Sequence, residues 1–182
     1  DGATRLGVNC GDYDNDGDLD LYVSNNSGAV NRLFKNGGNG IFSEVGAAAQ
    51  VNANGEGQTA IWGDYDNDGW LDLYAVMSDR TSLLYHNEGD GTFADVSLAS
   101  GVDIGGIQIG AMWADYDDDG DLDLYTAGRP TSFFFRNDGN GIFSDVSAIA
   151  GGGINGSWHS ASWGDYDNDR DLDLFLSNYG GV

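Results

Sequence analysis

Residues 59–75 read TAIWGDYDNDGWLDLYA, and this pattern occurs three more times along the chain without gaps. The other copies are GVNCGDYDNDGDLDLYV at 7–23, GAMWADYDDDGDLDLYT at 110–126 and SASWGDYDNDRDLDLFL at 160–176. The acidic loop within each copy begins at Asp12, Asp64, Asp115 and Asp165, which gives spacings of 52, 51 and 50 residues. A regular period of this length indicates one supersecondary unit that is repeated along the chain.

A second motif follows three of the four loops, as RLFKNGGNGIFSEV at 32–45, LLYHNEGDGTFADV at 83–96 and FFFRNDGNGIFSDV at 133–146. Each full unit is predicted to form four short antiparallel strands, one on each side of the acidic loop and two around the Gly-rich turn. Four strands in about fifty residues is the size of a β-propeller blade. No segment keeps apolar residues at helical spacing, so no helix is predicted. We therefore expect a single all-β domain of about three and a half blades, with repeats at approximately 5–55, 56–106, 107–156 and, as a partial copy, 157–182.

The loop between the first two strands of each unit has the pattern Asp-x-Asp-x-Asp-Gly-x-Leu-Asp, which suits a metal ion. A curled backbone turns the carboxylates at positions 1, 3 and 5 inward, position 7 can add its carbonyl, and position 9 closes the shell with both oxygens. A shell of about six or seven oxygen ligands favours Ca²⁺ over Mg²⁺, which prefers fewer protein ligands. The candidate ligands are Asp12, Asp14, Asp16, Asp18, Asp20, Asp64, Asp66, Asp68, Trp70, Asp72, Asp115, Asp117, Asp119, Asp121, Asp123, Asp165, Asp167, Asp169, Asp171 and Asp173.

The fourth loop departs from the pattern at position 6, where glycine permits the positive φ of a sharp turn and this copy has Arg170. An arginine there must accept strain or a different turn, and it brings a positive charge near the ion. We expect up to four Ca²⁺ ions, with the fourth site weaker. Asp and Asn clusters also occur as solvated turns, but four copies that keep every acidic position favour a metal.

The charge balance and the few cysteine and histidine residues limit the partners and the reactions that we expect. With 30 acidic and 7 basic side chains and a net charge of −23, the chain is not expected to bind nucleic acid, and its sequence has no apolar run that would insert into a membrane. Cys10 replaces the tryptophan of the other copies and is predicted to be a small core residue. His86 and His159 belong to no repeated chemical arrangement and are not expected to be catalytic. Two sequons, at Asn25 and Asn155, could carry N-glycans in a secreted chain.

At these residues the chain resembles the FG-GAP/VCBS family, the calcium-binding blades of integrin-α-type β-propellers. GDYDNDGDLDL at 11–21, followed by Asn-x-Gly-x-Gly-x-Phe, is similar to repeats of the ASPIC/UnbV, cartilage-acidic-protein-like group. The resemblance covers approximately residues 5–180 and implies an extracellular propeller, usually seven-bladed, with calcium in the loop between the first two strands of a blade. It implies adhesion, matrix or recognition roles rather than catalysis.

About three and a half blades do not close a ring. We expect either a segment of a longer, seven-bladed propeller or a partial propeller whose ends join further copies of itself. The leading hypothesis is a calcium-stabilised scaffold, extracellular or at the cell surface, for adhesion, matrix or surface assembly, with a protein or glycan ligand. The alternatives are a carbohydrate-binding lectin, with aromatic residues such as Trp70, Trp158 and Tyr179 stacking on sugars, and a polysaccharide-active enzyme. Since the dense acidic pairs are assigned as metal ligands, we expect no enzymatic activity.

Overall fold

The computed structural model describes residues 4–26, 28–149 and 158–178. Within these ranges the strands form three four-stranded sheets and one two-stranded sheet, all antiparallel, which confirms the prediction of an all-β chain built from propeller blades. The strands are β1 (Thr4–Gly11), β2 (Asp20–Asn26), β3 (Arg32–Asn36), β4 (Phe42–Glu44), β5 (Gly57–Gly63), β6 (Asp72–Met77), β7 (Leu83–Asn87), β8 (Phe93–Asp95), β9 (Ile107–Ala114), β10 (Asp123–Arg129), β11 (Phe133–Asn137), β12 (Phe143–Asp145), β13 (Trp158–Gly164) and β14 (Asp173–Asn178).

Each acidic loop connects the first two strands of its sheet. The four-stranded sheets are simple meanders, in which strands that follow one another in the chain also lie side by side. The last residue of the first strand pairs with the first residue of the second, as Gly63 does with Asp72 in the second sheet. The corresponding pairs in the other sheets are Gly11 with Asp20, Ala114 with Asp123 and Gly164 with Asp173. The register therefore places the loop at the same end of every sheet.

Aromatic residues of the loops form the joints between successive sheets. Strand β5 packs against β1 and β2, β9 against β5 and β6, and β13 against β9 and β10. At the first joint the buried ring of Tyr13, the second residue of its loop, stacks on Trp62 with 6.3 Å between ring centroids, and Phe93 packs against both. The same trio recurs one sheet later as Tyr65, Trp113 and Phe143. Burial of these rings ties the first two loops to the hydrophobic core and so fixes the position of their carboxylates.

The two-stranded fourth sheet exposes the residues that the earlier joints cover. Tyr166, the second residue of the fourth loop, is 82% exposed, and Phe175 on β14 is 71% exposed. Together with Trp163 and Leu174 these side chains line a cavity of about 610 Å³. The prediction that the ends join further copies stays a prediction.

Cys10 is exposed, so its prediction as a core residue is wrong. The tryptophans at its position in the next two sheets pack on the loop tyrosine of the preceding sheet. No sheet precedes β1 in the described chain, and this face of β1 is therefore open.

The prediction of no helix is wrong at one place, because residues Ser97–Ser100 form a single helical turn, α1. The Asp95 carboxylate accepts hydrogen bonds from the backbone N–H and the hydroxyl of Ser97, and Gly101 ends the turn at a φ of +83°. Such a turn is too short to produce apolar periodicity in the sequence. The described residues contain no helix of the length and apolar character that a membrane span requires.

The structure contradicts the prediction of an N-glycan at Asn25. This residue is 1% exposed, and its side-chain amide donates a hydrogen bond to the Val30 carbonyl at 2.5 Å. A sugar on that nitrogen would have to replace the hydrogen bond inside the packed sheet. The second predicted acceptor, Asn155, lies outside the described residues.

Candidate metal centres

The acidic loops are curled by hydrogen bonds to the Asp at position 1. In the second loop, the backbone N–H groups of Asp68 and Gly69 donate to the two carboxylate oxygens of Asp64, each at 3.0 Å. Left-handed backbone conformations at Asn67 (φ +59°) and Gly69 (φ +93°) make this curl possible. Asp12, Asp115 and Asp165 accept the same pair of N–H bonds in the other loops. All four loops therefore share one backbone conformation.

In the three four-stranded sheets, the Asp at position 9 lies at the base of the loop and accepts backbone N–H bonds from position 2 of the loop and from the end of the third strand. Asp72 is 0% exposed; its Oδ2 accepts the N–H of Tyr65 at 3.2 Å and its Oδ1 accepts the N–H of Asn87 at 2.8 Å. Equivalent pairs of hydrogen bonds hold Asp20 and Asp123. These bonds fix the carboxylate in place and leave one lone pair on each oxygen for another partner.

Carboxylate oxygens from positions 1, 3 and 9 lie within 4.8 Å of one another in every loop. These groups are Asp12, Asp14 and Asp20; Asp64, Asp66 and Asp72; Asp115, Asp117 and Asp123; and Asp165, Asp167 and Asp173. They are three of the five positions that the sequence predicts as ligands.

Positions 5 and 7 of the loops are placed differently. The carboxylate at position 5 accepts the backbone N–H of position 7, at 2.8 Å between Asp68 and Trp70 and at 2.9 to 3.0 Å in the other three loops. In the first three loops the side chain at position 7 lies against the Gly-rich turn; the ring of Trp70, for example, lies against Gly89. Only its backbone carbonyl remains as the predicted ligand at that position.

The electrostatics of the loops favour a bound cation. Burial is the largest cause that raises the pKa of Asp72 to about 7 and that of Asp123 to about 6. Burial and the neighbouring carboxylates also raise the pKa values of Asp66 and Asp117. One carboxylate oxygen of Asp66, Oδ1, is buried without a hydrogen-bond partner, and Oδ1 of Asp14 is in the same state. These carboxylate oxygens are crowded, partly desolvated and have unused lone pairs, and such a group suits a divalent cation held by oxygen ligands.

A basic side chain from the third strand faces the acidic loop in each four-stranded sheet, a feature that the sequence analysis missed. Lys35 forms ion pairs with Asp14 and, at 3.4 Å, with Asp16. His86 Nδ1 is 3.3 Å from a carboxylate oxygen of Asp66. Arg136 pairs with its neighbour Asp138 and lies close enough to Asp117 to offset part of the rise that burial and the neighbouring carboxylates cause in the pKa of that group. The signal was the alignment of Lys35, His86 and Arg136 at one position of the repeat.

Asparagine side chains link the first loop to the second and the second loop to the third, and sequence reasoning assigned them no role. Asn87, at the end of β7, donates to the Tyr13 carbonyl of the first loop at 2.8 Å and to the Leu71 carbonyl of its own loop at 3.0 Å. Asn137 makes the same two bonds one sheet later. The candidate sites are therefore joined by buried hydrogen bonds as well as by the aromatic core.

A second link joins position 4 of one loop to position 6 of the next. Asn15 Nδ2 donates to the Gly69 carbonyl at 3.1 Å, and Asn67 Nδ2 donates to the Gly120 carbonyl at 3.3 Å. At the third joint these two positions are Asp118 and Arg170. A carboxylate cannot donate this bond. At this joint a negatively charged Asp118 therefore replaces the amide donor, and a positively charged Arg170 replaces the glycine. Arg170 has a φ of +83° and keeps the turn, accepting the strain that the sequence analysis expects as one of two outcomes.

Comparison with known proteins agrees with the sheets and loops described above. A family model described as FG-GAP-like repeat matches residues 12–75, 64–126 and 115–176. Among solved structures, a lectin from Agrocybe aegerita, studied for its specific recognition of non-reducing terminal N-acetylglucosamine, is similar with a TM-score of 0.54 and 20% identity. The alignment covers 92% of this chain and 45% of that chain, so this chain spans less than half of the lectin.

At 20% identity, the similarity to the lectin shows a shared fold and nothing more. No curated protein sequence matches the chain. The narrower resemblance to the ASPIC/UnbV group stays a prediction. The three overlapping family matches run from the first residue of the first acidic loop to β14, and the chain belongs to the FG-GAP-like repeat family.

Proposed function

We propose that the chain is a calcium-stabilised repeat scaffold that works outside the cell, in adhesion, in the matrix or in surface assembly. The observation that carries the proposal is the convergence of three carboxylates in all four loops, each within 4.8 Å. In the three complete sheets, the innermost of these carboxylates is buried and held by backbone N–H groups from two directions. Calcium is the ion that suits several oxygen ligands in a flexible loop.

The role of calcium in this proposal is structural. Each loop joins two strands of its sheet, and Asn87 and Asn137 bond the first loop to the second sheet and the second loop to the third sheet. Neutralising the loop carboxylates would remove repulsion at these joints, since the chain carries a net charge of −23. A folded chain that binds the ion and an unfolded chain that does not are linked by mass action, so calcium adds directly to stability.

The extracellular location is proposed from the exposure of the loops. The residues at positions 4, 5 and 6 are solvent-exposed in every loop. Open calcium sites of this kind bind at about 10⁻⁴ to 10⁻³ M, a concentration range met outside cells. The same carboxylates that could serve acid–base chemistry are already committed to the proposed ion, and we propose no catalytic activity.

Glycan binding is the second candidate function, because the similar Agrocybe aegerita structure is that of a lectin that recognises N-acetylglucosamine. A cleft of about 220 Å³ between the second and third sheets offers polar and aromatic groups from Tyr65, Ser100 and Asn140. Trp70 and Trp158 are each partly exposed, and the third predicted aromatic residue, Tyr179, lies outside the described residues. Loss of glycan-array binding in Trp70→Ala would support this candidate, and an array without any binding would reject it.

Thermal unfolding with and without calcium tests the leading proposal. A single site saturated at a hundred times its Kd adds ~2.7 kcal/mol, or roughly 5–10 °C for a chain of this size. We expect EDTA to lower the melting temperature by at least this amount and Ca²⁺, in excess over EDTA, to restore it. Mg²⁺ at the same concentration serves as the control and should restore less. A melting temperature that is the same in EDTA and in calcium would reject the proposal.

A further inference from the structure

We propose that His86 turns the second loop into a mixed nitrogen and oxygen site that prefers a first-row divalent transition ion to calcium. This inference rests on the proposed function, since it assumes that the loops bind cations. It adds that one of the four loops differs from the others in the kind of ion that it selects.

The imidazole of His86 points into the carboxylates of the second loop. Its Nδ1 atom lies 3.3 Å from Asp66 Oδ2 and 3.3 Å from Asp72 Oδ1. The ligand atoms of Asp66, Asp68 and His86 form a second group within 4.8 Å, and this group shares Asp66 with the carboxylate group common to all loops. The His86 nitrogen therefore lies beside carboxylates of Asp66, Asp68 and Asp72.

His86 Nδ1 lies at ion-pair distance from two carboxylate oxygens but forms no hydrogen bond with either. His86 Nδ1 and Asp66 Oδ1 are both buried, and neither has a hydrogen-bond partner. A buried acceptor or donor without a partner is costly in a folded protein. A metal ion between these atoms would satisfy both at once.

Packing holds the imidazole in this orientation. The His86 side chain is 25% exposed, and the Tyr65 ring packs on it edge to face, with 6.3 Å between centroids and 73° between ring planes. Strand β7, which carries His86, pairs with β6 and β8 on its two sides. A ligand whose position is fixed before the ion arrives loses little conformational entropy on binding.

The other loops cannot provide this nitrogen. Lys35 and Arg136 occupy the same repeat position in the first and third sheets. A charged ammonium or guanidinium group has no lone pair for a metal and acts as a fixed counter-charge to the carboxylates. The described part of the fourth sheet ends at β14 and has no third strand. Among the described loops, the second therefore has a ligand set of its own.

Imidazole changes the selectivity of an otherwise oxygen-based site. It is a good ligand for Co²⁺, Ni²⁺ and Zn²⁺, whereas Ca²⁺ takes hard oxygen ligands. We expect the second loop to bind Co²⁺ at least about tenfold more tightly than the all-oxygen loops do.

Titration with Co²⁺, followed by its visible absorption, tests the proposal in a Cys10→Ser background, because the exposed Cys10 thiol could itself bind the ion. We expect one tight equivalent of Co²⁺ with a nitrogen-ligand spectrum. His86→Lys, which copies the first loop, should abolish this equivalent and leave calcium binding at the first and third loops, measured by calorimetry, unchanged. His159→Ala removes the other histidine of the chain and is the matched control, which should keep the tight equivalent.

The reverse exchange gives an independent measurement. Lys35→His should create a second tight Co²⁺ equivalent in the first loop, since its carboxylates converge like those of the second loop. If Ca²⁺ binds to the loops but Co²⁺ binding is the same in His86→Lys, or is lost in His159→Ala, the His86 proposal is wrong and the calcium scaffold stands. If neither ion binds to any loop, both proposals are wrong.

Discussion

Replacing Asp72 by asparagine should separate the structural role of this side chain from its proposed role as a ligand. The carboxylate is fully buried and accepts backbone N–H bonds from Tyr65 at 3.2 Å and from Asn87 at 2.8 Å. Asparagine keeps the shape and one acceptor oxygen but places an NH₂ group against the other N–H donor. It also removes the negative charge on which a cation would depend.

The expected magnitude depends on calcium. Without calcium, the variant loses a hydrogen bond to a charged group, worth about 1.5–3 kcal/mol. This loss is offset because burial raises the pKa of Asp72 to about 7, so that the ionised carboxylate opposes folding at pH 8. We expect the free energies of unfolding of Asp72→Asn and of the native chain to differ by no more than about 1 kcal/mol in EDTA. At a hundred times the Kd, calcium should stabilise the native chain by ~2.7 kcal/mol more than the variant.

Urea unfolding followed by tryptophan fluorescence measures both differences, because Trp62 and Trp113 lie at the joints next to the loops. Asp103→Asn is the control, since it removes the same charge from an exposed residue that belongs to none of the four acidic loops. An equal gain in stability from calcium in the native chain and in Asp72→Asn would refute the assignment of Asp72 as a ligand.

Three further predictions concern pH and the joints between sheets. Without calcium, the free energy of unfolding should fall as pH rises from about 4 to about 7, because the pKa values of Asp72 and Asp123, about 7 and about 6, exceed the unfolded value of about 3.9. The folded chain holds these protons more tightly, so their contribution is complete at low pH and is lost as the folded pKa is passed. The double variant Asp118→Asn with Arg170→Gly, which recreates the pair at the other joints, should unfold at a free energy about 1 kcal/mol higher. Asn87→Ala should cost about 2–4 kcal/mol, since it removes the donor from one buried and one partly buried carbonyl.

Each of these predictions has a result that contradicts it. Urea titrations in EDTA at several pH values would show a flat or rising free energy of unfolding if the buried carboxylates did not govern the pH response. At the third joint, the melting temperature of the double variant should be higher than that of either single variant. The reverse order would show that the charged pair stabilises the joint more than the amide and glycine do. Asn36→Ala is the control for Asn87→Ala, because Asn36 donates within its own sheet, to Leu19. Equal losses in the two variants would remove the role given to the link between loops.

The fold was predictable because the same local signals recur with a fixed period. Each of the first three acidic loops, flanked by alternating residues, is followed by a Gly-rich turn, and the strands begin and end at these signals. Position 6 of the loop illustrates the physical basis: Gly17, Gly69 and Gly120 have φ values of +91°, +93° and +95°. Because a positive φ disfavours most side chains, glycine recurs at this position, and the turn can be predicted from the sequence alone.

The roles of His86 and Asn87 and the exposure of Cys10 could not be predicted, because they depend on contacts between repeats or across a sheet. His86 was read as an isolated residue, although β7 carries its ring to the loop at 64–72. The partner of Asn87 is the Tyr13 carbonyl, 74 residues away in sequence. Cys10 was predicted to be buried because it aligns with tryptophans of the other repeats. Burial at this position, however, depends on a neighbouring sheet and not on the residue's own strand.

The asparagine links from one loop to the next have a consequence for how such arrays change during evolution. The second copy brings a donor, Asn87, for the loop before it and an acceptor, the Tyr65 carbonyl, for Asn137 of the copy after it. A duplicated or deleted unit would therefore find compatible neighbours on both sides at once. Drift at one joint, such as the exchange at Asp118 and Arg170, can be compensated by a change in the adjacent copy alone, without adjustment elsewhere in the array.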